Sequence, residues 1–297
     1  MSINMSYNPC VEPYYDFFIK NGYSYIGHGY MHVVFEKNEI VYKVLRSVYG
    51  VDKDKKRFQF EADMLKLVSR CGVPTAQVIH IYAPDELIPN YCVLAEKKIP
   101  GYIYCSEELN DKMVFGIHSV LENVHSMTLD FFGPIALQNL QVKTWHEYMN
   151  YLIEKAHKIR EILKIDIDIK KVEKYFIDKY VYNDRARFLI LDPNEKNYIF
   201  DADDNLVGVI DIDHPIAFDP MYEASSFLYS RPKTFSLMCK YKIINMKNMQ
   251  IIRNYAIVYA LYDLWFRYEK NNCIVNKRLE FYINQTIMFL KNSKEIL

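Results

Sequence analysis

Three oxygen-bearing side chains near the middle of the chain have a spacing that suits phosphate chemistry. Asp192 follows an apolar stretch, Asn197 comes five residues later, and Asp211 ends a second apolar run. In phosphoryl transfer one carboxylate orients the acceptor hydroxyl, while oxygen ligands hold Mg²⁺ against the triphosphate. Asp192 suits the first task, and Asn197 with Asp211 suits the second. The alternative is an ordinary β-hairpin with acidic turns and no role in catalysis.

A lysine interrupts an apolar strand pattern earlier in the chain. Lys43 lies within the run Val-Tyr-Lys-Val-Leu, where an ammonium would need a partner if it were buried. Glu61, on the helix predicted next, could hold Lys43 against the phosphates. The alternative is a solvent-facing lysine and an ordinary surface glutamate. Gly27 and Gly29 would let backbone amides approach phosphates, although such a pair is also typical of a tight turn.

Composition excludes several classes of protein. The 297 residues include 37 basic and 37 acidic side chains, so no global field favours nucleic acid or an anionic membrane as a partner. The six cysteines show no metal-like spacing, which indicates reduced thiols in a cytoplasmic protein. The first seven residues lack the pattern of a signal peptide, and no apolar run reaches membrane-spanning length.

The periodicity of apolar residues predicts an α+β fold. The first hundred residues read as a small antiparallel sheet with one inserted helix, and the remainder reads as mainly helical. Strands are predicted within residues 23–45, 77–82 and 91–96, and helices over residues 54–71, 113–127, 145–163, 172–182, 249–269 and 277–291.

Taken in order, these features resemble the aminoglycoside phosphotransferase family, kinase-like enzymes that phosphorylate small molecules. The glycine turn, Lys43, Glu61 and Gly72-Val73-Pro74 follow the order of the family. Asp211 lies nineteen residues after Asp192, as the metal-site aspartate of the family follows its catalytic loop. The resemblance covers roughly residues 20–270. It also rests on residues 93–101, 121–125, 132–134 and 219–225, the last of which is similar to the hygromycin phosphotransferases.

The resemblance implies a bilobal, protein-kinase-like fold. Residues 1–97 would form the nucleotide-binding lobe, and residues 98–297 the helical lobe with the acceptor pocket. ATP or GTP would donate the phosphate, and Mg²⁺ would be the metal cofactor. The segment that includes Glu96 and Lys98 would be the hinge that binds the adenine.

The acceptor implied by the resemblance is a small polyhydroxylated molecule, often cationic, such as an aminoglycoside-type antibiotic or an amino sugar. Glu223, Asp263 and Glu269 are candidate carboxylates for gripping it. Alternatively, all three carboxylates are ordinary charges on the surfaces of helices. The sequence identifies neither the acceptor nor the preferred purine.

The catalytic loop departs from the family in one respect. The family usually has His-Gly-Asp where this chain has Ile190-Leu191-Asp192, and Pro193 could compensate by fixing the backbone. The change keeps a catalytically silent nucleotide-binding protein as an alternative. A protein kinase is the other alternative, but no Asp-Phe-Gly motif or long activation segment follows Asp211. Asp213, two residues past Asp211 on the same predicted strand, either assists at the metal site or serves as a solvated or capping residue.

Overall fold

The structure is a computed structural model that describes residues 8–29, 31–46, 54–192, 194–270 and 273–294. The expectations for the first seven residues and for Pro193 lie outside these ranges. The chain divides into two compact units. The first unit contains Met1–Tyr102, Asn197–Asp203 and Val207–Asp213, and the second contains Ile103–Lys196, Asp204–Leu206 and His214–Leu297.

The first unit is built on a five-stranded antiparallel sheet. Its strands are β1 (Ser24–His28), β2 (His32–Lys37), β3 (Ile40–Leu45), β4 (Val78–Tyr82) and β5 (Val93–Lys97). They lie in the order β1-β2-β3-β5-β4. Two helices accompany the sheet, the short α1 (Tyr15–Lys20) and the longer α2 (Asp54–Ser69). The predicted sheet with one inserted helix is confirmed, and α1 is an addition that the sequence pattern did not reveal.

Strand β3 is buried on both of its faces. Successive side chains of a strand point to opposite faces, so Tyr42 and Val44 share one face and Lys43 and Leu45 share the other. Tyr42 and Val44 belong to an apolar cluster of their own, whereas Leu45 packs with Phe58 of α2. Lys43 therefore lies on the face covered by α2, which excludes the solvent-facing alternative.

A hairpin from later in the chain also belongs to the first unit, apart from residues 204–206. It consists of β9 (Tyr198–Phe200) and β10 (Leu206–Val209). Tyr102 and Phe200 exchange backbone hydrogen bonds of 2.7 and 3.0 Å, and the Val209 amide donates to the Pro74 carbonyl at 2.8 Å. Gly101 allows this approach, because a Cβ there would lie 2.5 Å from the carbonyl oxygen of Phe200.

The second unit is mainly helical and contains a small sheet. The helices are α3 (Asp111–His125), α4 (Trp145–Ile162), α5 (Ile169–Asp178), α6 (Pro220–Ser230), α7 (Pro232–Lys240), α8 (Met249–Lys270) and α9 (Lys277–Lys294). The sheet contains β6 (Thr128–Leu129), β7 (Gly133–Pro134), β8 (Ala186–Leu189) and β11 (Ile216–Phe218), in the order β6-β8-β11-β7. The strand that precedes Asp192 is thus β8, and it pairs with β11 rather than within the hairpin.

Helix α6 begins at a buried polar junction. Asp219 caps the helix by accepting a hydrogen bond from the Met221 amide, and Pro220 occupies the first turn. The other carboxylate oxygen of Asp219 accepts hydrogen bonds from the hydroxyls of Tyr180 and Tyr255 at 2.6 and 2.7 Å. This network fixes the start of α6 within the aromatic core of the unit. In the part of the chain that the structure describes, no helix is both long and apolar enough to cross a membrane.

Candidate active site

Lys43 is held by two carboxylates in the first unit. Its Nζ lies 2.6 Å from Glu61 Oε1 on α2 and 3.1 Å from Glu96 Oε2 on β5. All three residues are buried, with 5%, 0% and 2% of their surface exposed. The structure therefore brings the predicted Lys43 and Glu61 together. It also turns the Glu96 side chain toward this lysine.

Burial and charge act in opposite directions on this cluster. Burial disfavours the Lys43 ammonium, but Glu61, Glu96 and Asp211 outweigh it and raise the lysine pKa well above its ordinary value. Burial also raises the pKa of Glu96 to about 7, although Lys43 partly opposes that shift. Lys43 is thus a fixed positive charge, whereas Glu96 gains or loses its proton near neutral pH.

Asn197 and Asp211 lie on neighbouring segments of the first unit. The Ile210 amide donates a hydrogen bond of 3.0 Å to the carbonyl oxygen of Asn197. Asn197 ends a 3₁₀ turn and is 6% exposed. Asp211 has a φ of 63°, a left-handed conformation that costs a non-glycine residue about 1–3 kcal/mol. Such strain is concentrated at functional sites, where the surrounding structure holds it in place.

Arg57 of α2 forms an ion pair with Asp213. Burial, followed by the neighbouring Asp211, raises the pKa of Asp213 to about 7, and Arg57 opposes the shift. The sequence reading placed Asp213 on the strand of Asp211, but β10 ends at Val209 and both aspartates follow it in a loop. The sequence analysis also missed Arg57. Arg57 lies four residues before Glu61 on α2, and this spacing could have shown that both residues share one face of the helix.

The donor set fits Mg²⁺. Magnesium takes oxygen ligands, keeps several waters, and is usually bound by one or two carboxylates together with substrate phosphates. The amide oxygen of Asn197 and the carboxylate of Asp211 are donors of this kind. Among the described residues, no group of three or more His, Cys, Asp or Glu side chains is arranged to hold a metal ion by itself.

Three other residues of the first unit, Gly27, Gly29 and Lys98, are predicted to contact the nucleotide. Gly27 is in β1, and the Gly29 amide donates to the His32 carbonyl at 2.9 Å where the chain turns toward β2. A Cβ added at either glycine would meet no atom within 4 Å. The Lys98 ammonium pairs with Glu36, 2.7 Å from its Oε1. The side chain of Lys98 is therefore already engaged, and only its position in the predicted hinge remains relevant to a nucleotide.

The loop that carries Asp192 is braced within the second unit. Leu191 has a φ of 57°, and its amide donates a hydrogen bond of 2.7 Å to Glu223 Oε1. The other oxygen of Glu223 lies 2.5 Å from His125 Nε2. Because Glu223 is 2% exposed and uses both oxygens inside the protein, the structure gives it a bracing role and leaves its predicted substrate contact unsupported. Ile190 is buried where the family usually has histidine.

Arg231 also contacts the loop that carries Asp192. Arg231, which follows α6, lies with its Nε 2.6 Å from Glu195 Oε2 and donates from Nη2 to Asn194 Oδ1 at 3.2 Å. The Asn194 amide in turn donates to Asp192 Oδ1 at 3.2 Å. No sequence pattern pointed to Arg231, because its partners lie almost forty residues earlier in the chain.

The other acceptor candidates lie on α8. Asp263 pairs with Arg267, whose Nε donates to Oδ2 at 2.8 Å, while Glu269 is exposed. Burial, then Asp263 and more weakly Asp192, raise the pKa of Tyr259, and Arg267 opposes the shift. Asp263 and Asp192 therefore both lie close enough to Tyr259 to influence its charge. Among the described residues, no such shared neighbour links Glu269 to the Asp192 loop.

Comparison with known proteins identifies the family. The sequence profile of the phosphotransferase enzyme family matches residues 43–240, two thirds of the chain. The chain therefore belongs to this family, and it is a phosphotransferase. The matched residues include the candidate set from Lys43 to Asp211. A search of curated protein sequences returns no significant match.

Solved structures show the same fold at low sequence identity. The apo form of a thermostable mutant of aminoglycoside phosphotransferase APH(4)-Ia superposes with a TM-score of 0.64 at 13% identity, covering 93% of this chain and 98% of that one. The GDP complex of an aminoglycoside 2'-phosphotransferase-IIIa mutant gives a TM-score of 0.64 at 14% identity, with coverages of 95% and 96%. The gentamicin complex of APH(2")-IIa gives 0.58 at 17%, with coverages of 92% and 94%. These likenesses confirm the predicted kinase-like fold.

Proposed function

We propose that this phosphotransferase transfers the γ-phosphate of ATP or GTP to a hydroxyl of a small polyhydroxylated acceptor. The observation that carries the proposal is the buried Lys43–Glu61 ion pair in the same compact unit as Asn197 and Asp211. A phosphoryl-transfer site needs a fixed cation for the phosphates and oxygen ligands for a metal, and these residues provide both. Relatives of the same fold have been solved with ADP and hygromycin B, with GDP, and with gentamicin.

Each residue has a distinct task in this reaction. Lys43 holds α- and β-phosphate oxygens, while Glu61 keeps its ammonium in place. Bound Mg²⁺ would supply neutralisation of charge on the phosphates, with Asn197 and Asp211 as its protein ligands. Asp192 accepts a hydrogen bond from the acceptor hydroxyl and takes its proton as the oxygen bonds to the γ-phosphorus. The bond from that phosphorus to the bridging oxygen breaks, and the nucleoside diphosphate departs.

The free space around the glycine turn supports this assignment. Gly27 and Gly29 both leave open the volume that a Cβ would occupy. Backbone amides can approach phosphate oxygens most closely where no side chain intervenes. The turn therefore suits a lining for the triphosphate.

Specific features argue against the two alternatives. A silent nucleotide-binding protein would explain Ile190, but it would have no need of a braced Asp192 loop held by Glu223 and Arg231. A protein kinase needs a long segment after its metal aspartate to bind a peptide. Here β11 begins five residues after Asp211 and α6 begins at Pro220, which leaves no room for such a segment.

The acceptor pocket is assigned to the region of α8 near Asp263. Arg267 already balances the charge of this carboxylate, so the site would bind a hydroxyl as well as an amine. We therefore include neutral polyols beside cationic aminoglycosides and amino sugars as acceptor candidates. The balanced charge of the chain argues against nucleic acid or an anionic membrane as a partner, and its free cysteines support a cytoplasmic enzyme.

The test has two stages. Thermal unfolding is first measured with ATP and with GTP, each with and without Mg²⁺, and a nucleotide at a hundredfold excess over its Kd should add about 2.7 kcal/mol to the stability. The second stage measures release of ADP or GDP across a panel of hydroxylated molecules. No stabilisation by either nucleotide at millimolar concentration would reject the kinase assignment. Stabilisation without acceptor-dependent release across the panel would favour the silent protein.

A further inference from the structure

The buried cation of the nucleotide site has more carboxylate partners than its charge can balance. Lys43 contacts Glu61 at 2.6 Å and Glu96 at 3.1 Å. The register explains the second contact, because Lys43 lies opposite Leu94 and Glu96 is its diagonal neighbour on the same face of the sheet. A single carboxylate on α2 would satisfy the lysine. Glu96 is a second one, delivered by an adjacent strand.

The surroundings of Glu96 add negative charge. Lys43 on β3 faces it directly, Glu61 faces it from α2, and Asp211 acts on it from the loop after β10. His32 and Arg57 belong to the same charged neighbourhood. The pKa of His32 responds to the charges of Arg57, Lys43, Glu61 and Asp211. Burial lowers the pKa of His32, so this histidine contributes no charge near neutral pH. Arg57 is already paired with Asp213.

We propose that Glu96 competes with the triphosphate for Lys43, and that nucleotide binding is coupled to uptake of one proton by the Glu96 carboxylate. This inference rests on the proposed nucleotide site and adds a form of regulation to it. The Lys43 ammonium has three N–H donors, so a phosphate oxygen can reach it beside two carboxylates, but its single positive charge cannot balance two carboxylates and a triphosphate. Binding of the phosphates therefore disfavours one of the two ionised carboxylates. Glu61 is completely buried with the shorter contact, whereas Glu96 has the longer contact and is the one disfavoured.

Protonation of the Glu96 carboxylate is the energetically favoured response when a triphosphate binds to Lys43. An ionised Glu96 beside a bound triphosphate would be a buried negative charge without its cation, and burial strongly disfavours such a state. A neutral carboxylic acid removes the repulsion and can donate a hydrogen bond. The raised pKa of Glu96, about 7 before nucleotide binds, indicates that this proton is available near physiological pH.

The affinity for nucleotide should decrease as the pH rises above 7. Above pH 7 the carboxylate is mostly ionised in the free protein, so binding must recruit a proton from solvent. The affinity for nucleotide should then fall by up to about tenfold for each further pH unit. Below pH 7 Glu96 already carries its proton, and the affinity should level off.

The experiment compares the whole protein with Glu96→Gln, using MgATP and MgGTP as probes. Isothermal titration at pH 6, 7 and 8 gives the Kd of each, and buffers of different ionisation enthalpy give the number of protons taken up. The wild type should take up close to one proton at pH 8 and lose affinity between pH 7 and 8. Glu96→Gln should take up about one proton fewer than the wild type, bind at least about tenfold more tightly than the wild type at pH 8, and lose less affinity between pH 7 and 8. Glu86→Gln, an exposed glutamate paired with His80 in the same unit, is the matched control and should behave as the wild type.

Each outcome separates this inference from the proposed function. Nucleotide binding by the wild type without proton uptake at pH 8 would overturn the inference alone, and that measurement stands even if the variant folds poorly. Equal affinity and equal pH dependence in the wild type and Glu96→Gln would also overturn it. No binding of either nucleotide by the wild type at any pH would reject the proposed function, and the inference with it.

Discussion

Arg57 and Glu61 lie one turn apart on α2 and bind the two sides of the candidate phosphate site. Arg57 pairs with Asp213 in the loop that contains Asp211, while Glu61 pairs with Lys43 on β3. Residues four positions apart on a helix share one face, so a single helix face holds both the cation and the acidic loop. Any displacement of α2 would therefore disturb the Lys43 site and the Asp211 loop together.

Replacement of Arg57 should weaken magnesium-nucleotide binding more than it slows turnover at saturation. Arg57→Met leaves a carboxylate that is 9% exposed without its arginine, at a cost of about 2–4 kcal/mol. This is somewhat below the range for fully buried pairs, because the Arg57 side chain is 23% exposed. We expect the KM for the magnesium-nucleotide to rise severalfold or more. Steady-state kinetics and denaturant unfolding measure both effects.

Two further variants make the Arg57 test specific. Lys66→Met removes a cation from the exposed face of the same helix and should change neither stability nor KM appreciably. The double variant Arg57→Met with Asp213→Asn should recover part of the lost stability, because it removes both charges. Additive losses in the double variant would show that the pair is not coupled.

Asp192 and Asp211 should fail in different ways. Asp192→Asn should leave nucleotide affinity nearly unchanged and reduce turnover on the order of 100-fold or more, because it removes only the proton acceptor. Asp211→Ala should weaken the binding of the magnesium-nucleotide itself. Titration calorimetry and single-turnover kinetics distinguish the two, with Asp178→Asn on the surface of α5 as the control. Undiminished turnover in Asp192→Asn would contradict the assigned role.

The stability of the nucleotide-free protein should fall as pH rises through the range of Glu96. Its pKa is raised from 4.5 to about 7 in the folded protein, so the folded state binds more protons than the unfolded state between these values. The stabilisation is complete below pH 4.5 and is lost as pH rises through 7. At about 1.4 kcal/mol per unit, the loss is on the order of 3 kcal/mol. Urea unfolding at pH 5, 6, 7 and 8 should show a steeper decline for the wild type than for Glu96→Gln.

Removal of the Glu223 contact that braces the Asp192 loop should impair turnover without impairing nucleotide binding. Glu223→Ala leaves the Leu191 amide without its acceptor, which costs about 1–3 kcal/mol, and frees a loop that contains a left-handed non-glycine residue. The expected result is a lower kcat with nearly the same nucleotide Kd. Glu122→Ala on the exposed side of α3 is the control. A raised acceptor KM with unchanged kcat would instead restore the sequence-based prediction that Glu223 binds substrate.

The junction at the start of α6 should be important for stability. Asp219→Ala removes a helix cap, worth about 0.5–2 kcal/mol, and leaves the hydroxyls of Tyr180 and Tyr255 without an acceptor. Each unsatisfied buried group costs about 1–3 kcal/mol, so a total loss of at least 2 kcal/mol is expected. Denaturant unfolding measures it. A loss below 1 kcal/mol would mean that the hydroxyls find other partners.

Sequence reasoning predicted the sheet, the long helices and the Lys43–Glu61 pair because these depend on local periodicity and spacing. It missed features that depend on register or on distant contacts. Glu96 meets Lys43 only because β3 pairs with β5 in one particular register, and Arg231 reaches the Asp192 loop from the junction between α6 and α7. The small sheet of the second unit has strands of two to four residues, which are too short to give an alternating pattern.

The glutamate at 223 shows a different limitation. Its position near aromatic residues and its charge suggested a substrate contact, because residue type alone cannot reveal that both oxygens are used within the protein. One of these oxygens contacts His125. These partners, the Leu191 amide and His125, lie 32 and 98 residues from Glu223 in the chain.

The hairpin that returns to the first unit has a consequence for biosynthesis. The unit is completed by residues 197–213 apart from 204–206, so its last strand contacts, including that of Val209 with Pro74, cannot form while only the first 102 residues have been made. Domains that are continuous in sequence can fold as soon as they leave the ribosome. This unit must wait until more than two thirds of the chain has been synthesised, because Thr75 pairs with Val209 and Tyr102 pairs with Phe200. A fragment that ends at Tyr102 would therefore lack the hairpin and Asp211, and it would be the species most exposed to chaperones and proteases during translation.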